Sequence, residues 1–337
     1  MKKLIALIAV LILVVIAGSL AIWELPTENQ ETVRIEILPG DTLSEKALQW
    51  QRDGWLPSAD LLKLQAKLLK KTHLRPGEFD VPPKLSGVEF LHWLENAKPV
   101  TYRVSLIEGT RVSEALAALA VAPKLKQDIA PLNEQTVSEF LGVEGSLEGW
   151  LYPDTYVYPS GEAVSVVLIQ SYERMKRQLE QAWQARQKDL PYQTPYQALI
   201  MASIVEKETA VPSERPEIAG VFVRRLRKDM RLETDPTVIY GLGSEYSGNL
   251  RKKHLLDKTN LYNTYRHKGL PPGPIALAGR EALDAALNPA AGKTLFFVAK
   301  GDGSHVFSET LSQHTKAVRQ YQIYRRKKDY RSTPVAN

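Results

Sequence analysis

Eight consecutive residues, Ala198-Leu199-Ile200-Met201-Ala202-Ser203-Ile204-Val205, carry no charge and a single hydroxyl. They follow Thr194-Pro195-Tyr196-Gln197, a helix start with a capping residue, a proline at the first helical position and Gln at the third. Pro212 ends the run of helix-compatible residues soon after. A helix that is apolar nearly all round is buried rather than amphipathic, so the chain must build a core that encloses this one. Glu206-Lys207-Glu208-Thr209 follows directly, which places two carboxylates in the last turn of a buried helix.

The C-terminal end of a helix is the negative pole of its macrodipole and disfavours a carboxylate by roughly 0.3–1 kcal/mol. Partial burial disfavours the ionised form further. A Glu there is biased towards staying protonated near neutral pH, as a general acid must. Residues two apart on a helix point about 200° away from each other, so Glu206 and Glu208 cannot share one cleft. Geometry does not choose between them, and a solvated pair screened by Lys207 is the bland alternative.

At 337 residues the chain can form two or three compact units. Its 44 Lys plus Arg against 38 Asp plus Glu give a formal charge of +6, which favours anionic surfaces without identifying one. The basic residues are scattered, with no zinc-finger spacing and no RNA-binding aromatic motif, so no nucleic-acid partner is expected. The absence of cysteine excludes disulfides, thiol catalysis and a lipidated-cysteine anchor. Six scattered histidines, none in a His-Glu-x-x-His arrangement, point to no metal. Neither a Gly-x-Ser-x-Gly elbow nor a phosphate-binding loop is present, and no cofactor is expected.

After residues 1–3, Met1-Lys2-Lys3, an uncharged run extends over 4–23, from Leu4 to Trp23. That is about the ~20 residues a helix needs to cross a bilayer. The flanking lysines keep residues 1–3 in the cytoplasm and place the rest outside, with Trp23 at the outer interface. The expectation is a single-pass protein of the inner (cytoplasmic) membrane with its catalytic part in the periplasm. The alternative is a cleaved signal peptide with Ser19 and Ala21 at the cleavage site; both readings export the chain.

Beyond a polar linker, Val33-Arg34-Ile35-Glu36-Ile37 alternates as a strand should, and Pro39-Gly40-Asp41 is a turn. Thr42 or Ser44 can cap a helix running through Trp50. The arrangement recurs at an offset of 69 residues, with a strand at Arg103–Ile107, Gly109 matching Gly40 and Ser113-Glu114 matching Ser44-Glu45. This suggests a duplicated small module, with chance as the competitor. Residues 115–190 read as mainly helical, interrupted at 148–159 by Trp150, Tyr152, Tyr156 and Tyr158 among Asp, Glu and Pro. Such rings can stack on sugar faces, which makes Trp150, Tyr152 and Tyr156 candidate cleft residues; core positions at a strand edge are the alternative. Arg325-Arg326-Lys327-Lys328 follows a helix capped by Thr310 with Gln313 and reads as a solvated tail.

Several motifs occur together and in order: Ala202–Thr209; Arg231-Leu232-Glu233-Thr234-Asp235-Pro236-Thr237-Val238-Ile239-Tyr240-Gly241; Tyr262-Asn263-Thr264-Tyr265; Gly269–Ile275; Asn288-Pro289; Phe296-Phe297-Val298 with Gly303–Phe307; and the Glu148–Tyr156 block. This series closely resembles the MltG (YceG-like) family of endolytic murein transglycosylases over essentially the whole chain. Glu233 stands where the family pattern has Gln, and Ser304 where some relatives have Gly. The turn Pro39-Gly40-Asp41-Thr42-Leu43 also resembles that of a LysM module, a strand–helix–helix–strand unit that binds N-acetylglucosamine-containing glycans, with Arg75–Val81 as its closing strand. A plain spacer is the alternative.

The resemblance implies an α+β fold: a transmembrane helix, a LysM-like α/β module over 24–100, a second strand–helix unit with the aromatic segment over 101–160, a mixed α+β catalytic domain over 161–330, and a tail over 331–337. It implies peptidoglycan glycan strands as substrate and association with peptidoglycan synthases. It makes the second Glu of the pair, Glu208, catalytic. The family reaction cleaves between N-acetylmuramic acid and N-acetylglucosamine without water, leaving a 1,6-anhydro end. One carboxyl suffices if it first protonates the leaving oxygen and then accepts the C6 hydroxyl proton. A muramidase would need a second carboxylate, ~5–5.5 Å away for retention or ~6.5–9.5 Å for inversion, with Asp235, or else Glu206, as that second acid. Asp235 could instead cap a helix beginning at Pro236. Thr237 and Tyr240 are expected near the cleft, and Asn263 and Tyr265, flanked by the loop 270–274, are expected to line it as hydrogen-bonding and stacking groups; an Asn that satisfies its local backbone is the alternative. His305, in a hairpin with Leu295–Lys300, is a candidate to bind a sugar hydroxyl, with a partly exposed strand histidine as the alternative. A non-catalytic peptidoglycan-binding scaffold is the reading from a different class.

Overall fold

The computed structural model describes residues 21–324 together with Ile8 and Gly18. Most of the expected anchor at 4–23, the basic run Arg325–Lys328 and the tail 331–337 lie outside the described residues. Among the described residues no helix is long and apolar enough to cross a membrane. The chain divides into two compact units, one of residues 1–102 with 123–125 and 157–162, the other of 103–122, 126–156 and 163–337.

In the first unit, β1 (Val33–Ile37) is followed by α1 (Leu43–Arg52), α2 (Ala59–Leu69), β2 (Gly77–Val81) and α3 (Gly87–Asn96). β1 and β2 pair antiparallel, Val33 opposite Val81 and Ile37 opposite Gly77. The alternation read from the sequence sets the faces: Ile35 and Ile37 are buried, while Arg34 on the other face binds Asp80 of β2 at 2.8 Å. Thr42 caps α1 in a reciprocal box with Glu45, and Ser86 does the same for α3 with Glu89. Trp50, Trp55 and Phe90 meet with centroids 5.3–5.6 Å apart, an aromatic core whose pairs stabilise by about 0.5–1.5 kcal/mol each beyond area burial.

The boundary between the units falls within β3 (Thr101–Ser105) and β4 (Thr155–Pro159), which form a two-stranded sheet. Between them lie α4 (Val112–Ala120) and α5 (Glu134–Leu141). The order strand–helix–helix–strand thus occurs twice, with β3 beginning two residues before the expected Arg103. The offset of 69 carries structural content. Gly40 and Gly109 both take positive φ, +95° and +75°, a conformation glycine adopts without steric cost. Glu45 accepts the Thr42 N–H at 3.2 Å, and Glu114 accepts the Arg111 N–H at 2.8 Å.

The second unit continues with α6 (Val164–Gln184), α7 (Pro195–Glu208), a 3₁₀ turn (Pro212–Glu214), α8 (Arg215–Arg227), α9 (Asp235–Leu242), α10 (Lys252–Leu256) and α11 (Arg280–Leu287). The hairpin of β5 (Phe296–Ala299) and β6 (His305–Ser308) and then α12 (Leu311–Val318) close it. The fold is mixed α+β. Helix α7 is its axis: Ala198 to Val205 are all buried, packed against α6, α8, α9 and α11. Each fully buried Leu, Ile, Met or Val stabilises by roughly 1.5–3 kcal/mol. The one hydroxyl in the run, on Ser203, donates to the Ile200 carbonyl and accepts the Ile275 N–H at 3.0 Å, so the only polar side chain of the run is paired.

Candidate active site

The last turn of α7 sends its two carboxylates to different surroundings. Glu206 turns into the protein: Oε1 accepts from Arg215 at 3.3 Å and Oε2 from the Gly279 N–H at 2.9 Å. Its side chain is 5% exposed and that of Arg215 8%, and Arg215 also binds Glu281. Glu208 lines an open cleft of about 830 Å³ together with Arg111, Asp235, Tyr240, Tyr265 and His305. The hydroxyl of Thr234 donates to Glu208 Oε1. Burial pushes the Glu208 carboxyl up to about 7; the Thr234 hydroxyl opposes this and the charge of Asp235 adds to it.

Thr234 is held in place by its own backbone. Glu233 takes φ +53°, a region a residue with a Cβ rarely enters and at a cost of order 1–3 kcal/mol. Arg225 binds its carboxylate at 3.0 Å, and its N–H donates to the Thr264 carbonyl at 3.3 Å. The Thr234 N–H donates to Thr264 Oγ1 at 3.0 Å, and its carbonyl accepts from Thr237 Oγ1 at 2.8 Å. Thr234 is also the N-cap residue of α9, yet its side chain caps nothing. The hydroxyl that would ordinarily bond its own helix is directed at Glu208 instead. Helix α9 therefore starts at Asp235, one residue before the expected Pro236, and Asp235 occupies the first turn rather than the cap.

Asp235 is exposed, favoured at that position by the helix dipole, and accepts the Tyr265 phenol at 2.7 Å. Burial, with the charge of Asp235 next, pushes the Tyr265 phenol up. The Arg111 guanidinium lies 4.9 Å from the Tyr240 ring centroid, a cation–π contact, and donates to the Ile239 carbonyl at 3.1 Å. Another buried carboxyl, Glu148, accepts the Val112 N–H at 2.9 Å. Burial pushes Glu148 up to about 7. His305 enters from β6, its Nδ1 2.8 Å from Glu214 Oε2.

The structure thus gathers Glu208, Asp235, Tyr240, Tyr265 and His305 in one cleft, and places the other candidates elsewhere. Thr237 is fully buried, its hydroxyl spent on Thr234 and Thr264. Asn263 is fully buried as well: Nδ2 donates to the Asp257 carbonyl at 2.6 Å and Oδ1 accepts the Tyr265 N–H at 3.1 Å, which shapes the loop carrying Tyr265. Tyr152 and Tyr156 are core residues. Tyr156 donates to the Tyr152 carbonyl at 2.7 Å and is pushed up to about 12 by burial. Trp150 stacks on Tyr196 at 5.8 Å and 12°. None of these three rings lines the cleft. Gly149, at φ +81°, brings this segment so close to Pro274 that a Cβ would sit 2.7 Å from its ring, so the block packs as interior. Thr234, Arg111, Glu148 and Glu214 were not singled out as site residues; only Thr234 carried a signal, as the residue before Asp-Pro at a helix start. Among the described residues no group of three or more metal-ligating side chains is gathered.

The family model for the YceG-like family matches residues 35–320. The endolytic murein transglycosylase of Bacillus subtilis (strain 168) is 29% identical over 312 residues, covering 87% of this chain and 86% of that protein. The protein of the same name from Streptococcus pneumoniae serotype 2 is 24% identical over 327 residues, and the match spans 59% of its length. A crystal structure of a yceG-like protein from Listeria monocytogenes superposes with a TM-score of 0.53 at 28% identity, covering 86% of this chain and 99% of that one.

Proposed function

The chain belongs to the YceG-like family, and on that premise we propose that it is an endolytic murein transglycosylase with Glu208 as its acid. One observation carries the assignment: Glu208 is the member of the Glu-Lys-Glu pair that faces the cleft, with its carboxyl pushed up to about 7. At neutral pH such a group is divided between its two forms, the condition in which acid catalysis is most effective.

In the proposed reaction, Glu208 protonates the glycosidic oxygen between N-acetylmuramic acid and N-acetylglucosamine as the C1–O bond breaks. The muramyl C6 hydroxyl closes on C1 and releases its own proton, which resets the acid once it returns to Glu208. No water is consumed, and the product ends in 1,6-anhydro-N-acetylmuramic acid. Acid–base assistance supplies typically 10²–10⁴-fold, and positioning and the polar cleft supply the rest. Mass spectrometry of the products is the test, because anhydro ends are one water lighter than hydrolysed ones. Products carrying only reducing ends would reject the reading.

The same proposal extends to the parts around the catalytic unit. The N-terminal unit is read as a LysM-like module that holds N-acetylglucosamine-containing strands. Its strand–helix–helix–strand order supports this, as does a groove lined by the Pro39–Ser44 turn and the Thr72–Leu74 segment. Weaker binding of N-acetylglucosamine oligomers by His73→Ala in a Glu208→Gln background is the expected outcome. The uncharged run over 4–23 is read as an anchor in the cytoplasmic membrane, with the enzyme on its outer side beside peptidoglycan synthases. Retention of the protein in membranes after an alkaline wash tests the anchor.

A further inference from the structure

Another titratable side chain lines the cleft. His305 has a side chain only 5% exposed, seated edge-on against Phe297 at 5.4 Å. A single carboxylate fixes it twice: Glu214 Oε1 accepts the His305 main-chain N–H at 2.9 Å, and Oε2 lies 2.8 Å from Nδ1. An ionised carboxylate can only accept, so Nδ1 carries the hydrogen and the lone pair of the neutral ring sits on Nε2. Nε2 enters none of the hydrogen bonds found among the described residues, while His305 lines the same cleft as Glu208. Glu214 is tied to the catalytic helix end as well. Thr209, next after Glu208, donates from its hydroxyl to Glu214 Oε2 at 3.4 Å. One short segment therefore holds the acid and orients the imidazole.

We propose that His305, through Nε2, is the base that removes the proton of the muramyl C6 hydroxyl, with Glu214 as its positioning residue; this inference rests on the transglycosylase reading. The step balances without another reagent. The proton on Glu208 goes to the leaving oxygen as the C1–O bond breaks, O6 forms its bond to C1, and the O6 proton passes to Nε2. The imidazolium so formed lies against the Glu214 carboxylate, which stabilises it, and its proton then returns to the Glu208 carboxylate. Glu208 acts as an acid towards the sugar, and the second proton transfer belongs to a different side chain. Without a base at C6, the electron-poor C1 is left open to water.

That consequence provides a readout a merely structural histidine would not move. Full-length wild type, His305→Gln, Glu214→Gln and His305→Ala are compared on uncrosslinked glycan strands for kcat, KM and product mass. The expected result for His305→Gln is a fall in kcat of about 10²-fold, little change in KM, and a rising share of reducing ends among the products. Glu214→Gln shifts both quantities in the same direction by less, and added imidazole restores the anhydro share in His305→Ala. Wild-type kcat with all-anhydro products in His305→Gln overturns the proposal. So does a fall that follows lost melting temperature and is not rescued by imidazole. A wild type that makes only reducing ends rejects the transglycosylase reading itself, whereas an anhydro-forming wild type with an unaffected His305→Gln removes only the role of His305.

Discussion

The two faces of the last turn of α7 differ in what surrounds an identical side chain. On the inner face Glu206 meets a guanidinium and a main-chain N–H, and its side chain is 5% exposed. On the cleft face Glu208 meets a hydroxyl and a neighbouring carboxylate, and burial raises it to about 7. The inner carboxylate has a donor for each oxygen, a guanidinium and a main-chain N–H. The cleft carboxyl, desolvated beside a hydroxyl and a second carboxylate, is raised towards neutral pH, at a cost to stability and to the benefit of acid chemistry. Two residues of helix, and about 200° of rotation, separate the two roles.

The comparison can be broken in four places. Glu208→Gln, which keeps shape and removes the acid, is expected to lower glycan cleavage by at least 10²–10⁴-fold, measured as product release with the melting temperature retained. Glu206→Gln is expected to act on folding instead. Leaving the buried Arg215 with only Glu281 costs about 3 kcal/mol by denaturant unfolding, and activity per folded molecule changes little. A Glu206→Gln chain that is stable but inactive would exchange the roles of the two residues.

The third test is the pH dependence of stability. A carboxyl whose pKa is raised on folding binds more protons folded than unfolded between about 4.5 and about 7. Its unfavourable contribution is absent below that window and complete above it. Glu208→Gln should therefore match wild-type stability near pH 4.5 and exceed it above pH 7, by up to about 3 kcal/mol. Equal stabilities throughout would mean that Glu208 is not desolvated. The smallest effect is expected from Thr234→Val. Removing a hydroxyl that opposes the rise moves the pH above which activity is lost upwards, with kcat changed by about fivefold or less, equivalent to about 1 kcal/mol in the barrier.

The parts of this arrangement legible in the sequence are those set by neighbours along the chain. Thr194 and Thr310 cap the helices they were expected to cap, the apolar run Ala198–Val205 is buried, and the hairpin that carries His305 forms. What escaped depends on closure in three dimensions. Thr234 reaches Glu208 across 26 residues, and Glu214 reaches His305 across 91; no local pattern records such a pairing. The aromatic block misled for a related reason. Tyr152, Tyr156 and Trp150 have the residue types of a sugar platform, but type does not say which side of a strand or turn faces solvent, and here packing against Ser171, Tyr196 and Pro274 decided it. Asn263 and Thr237 lie within the recognised motifs as supports for Tyr265 and Thr234, so resemblance located the site more finely than it assigned the contacts.

The central claim is that the Glu208 carboxyl in the cleft changes protonation near neutral pH. A carbon-13 NMR titration of the glutamate carboxyls, with Glu208 assigned by its loss in Glu208→Gln, measures this directly. The account predicts a midpoint near 7 for that signal; a midpoint near the ordinary value of 4.5 would contradict it.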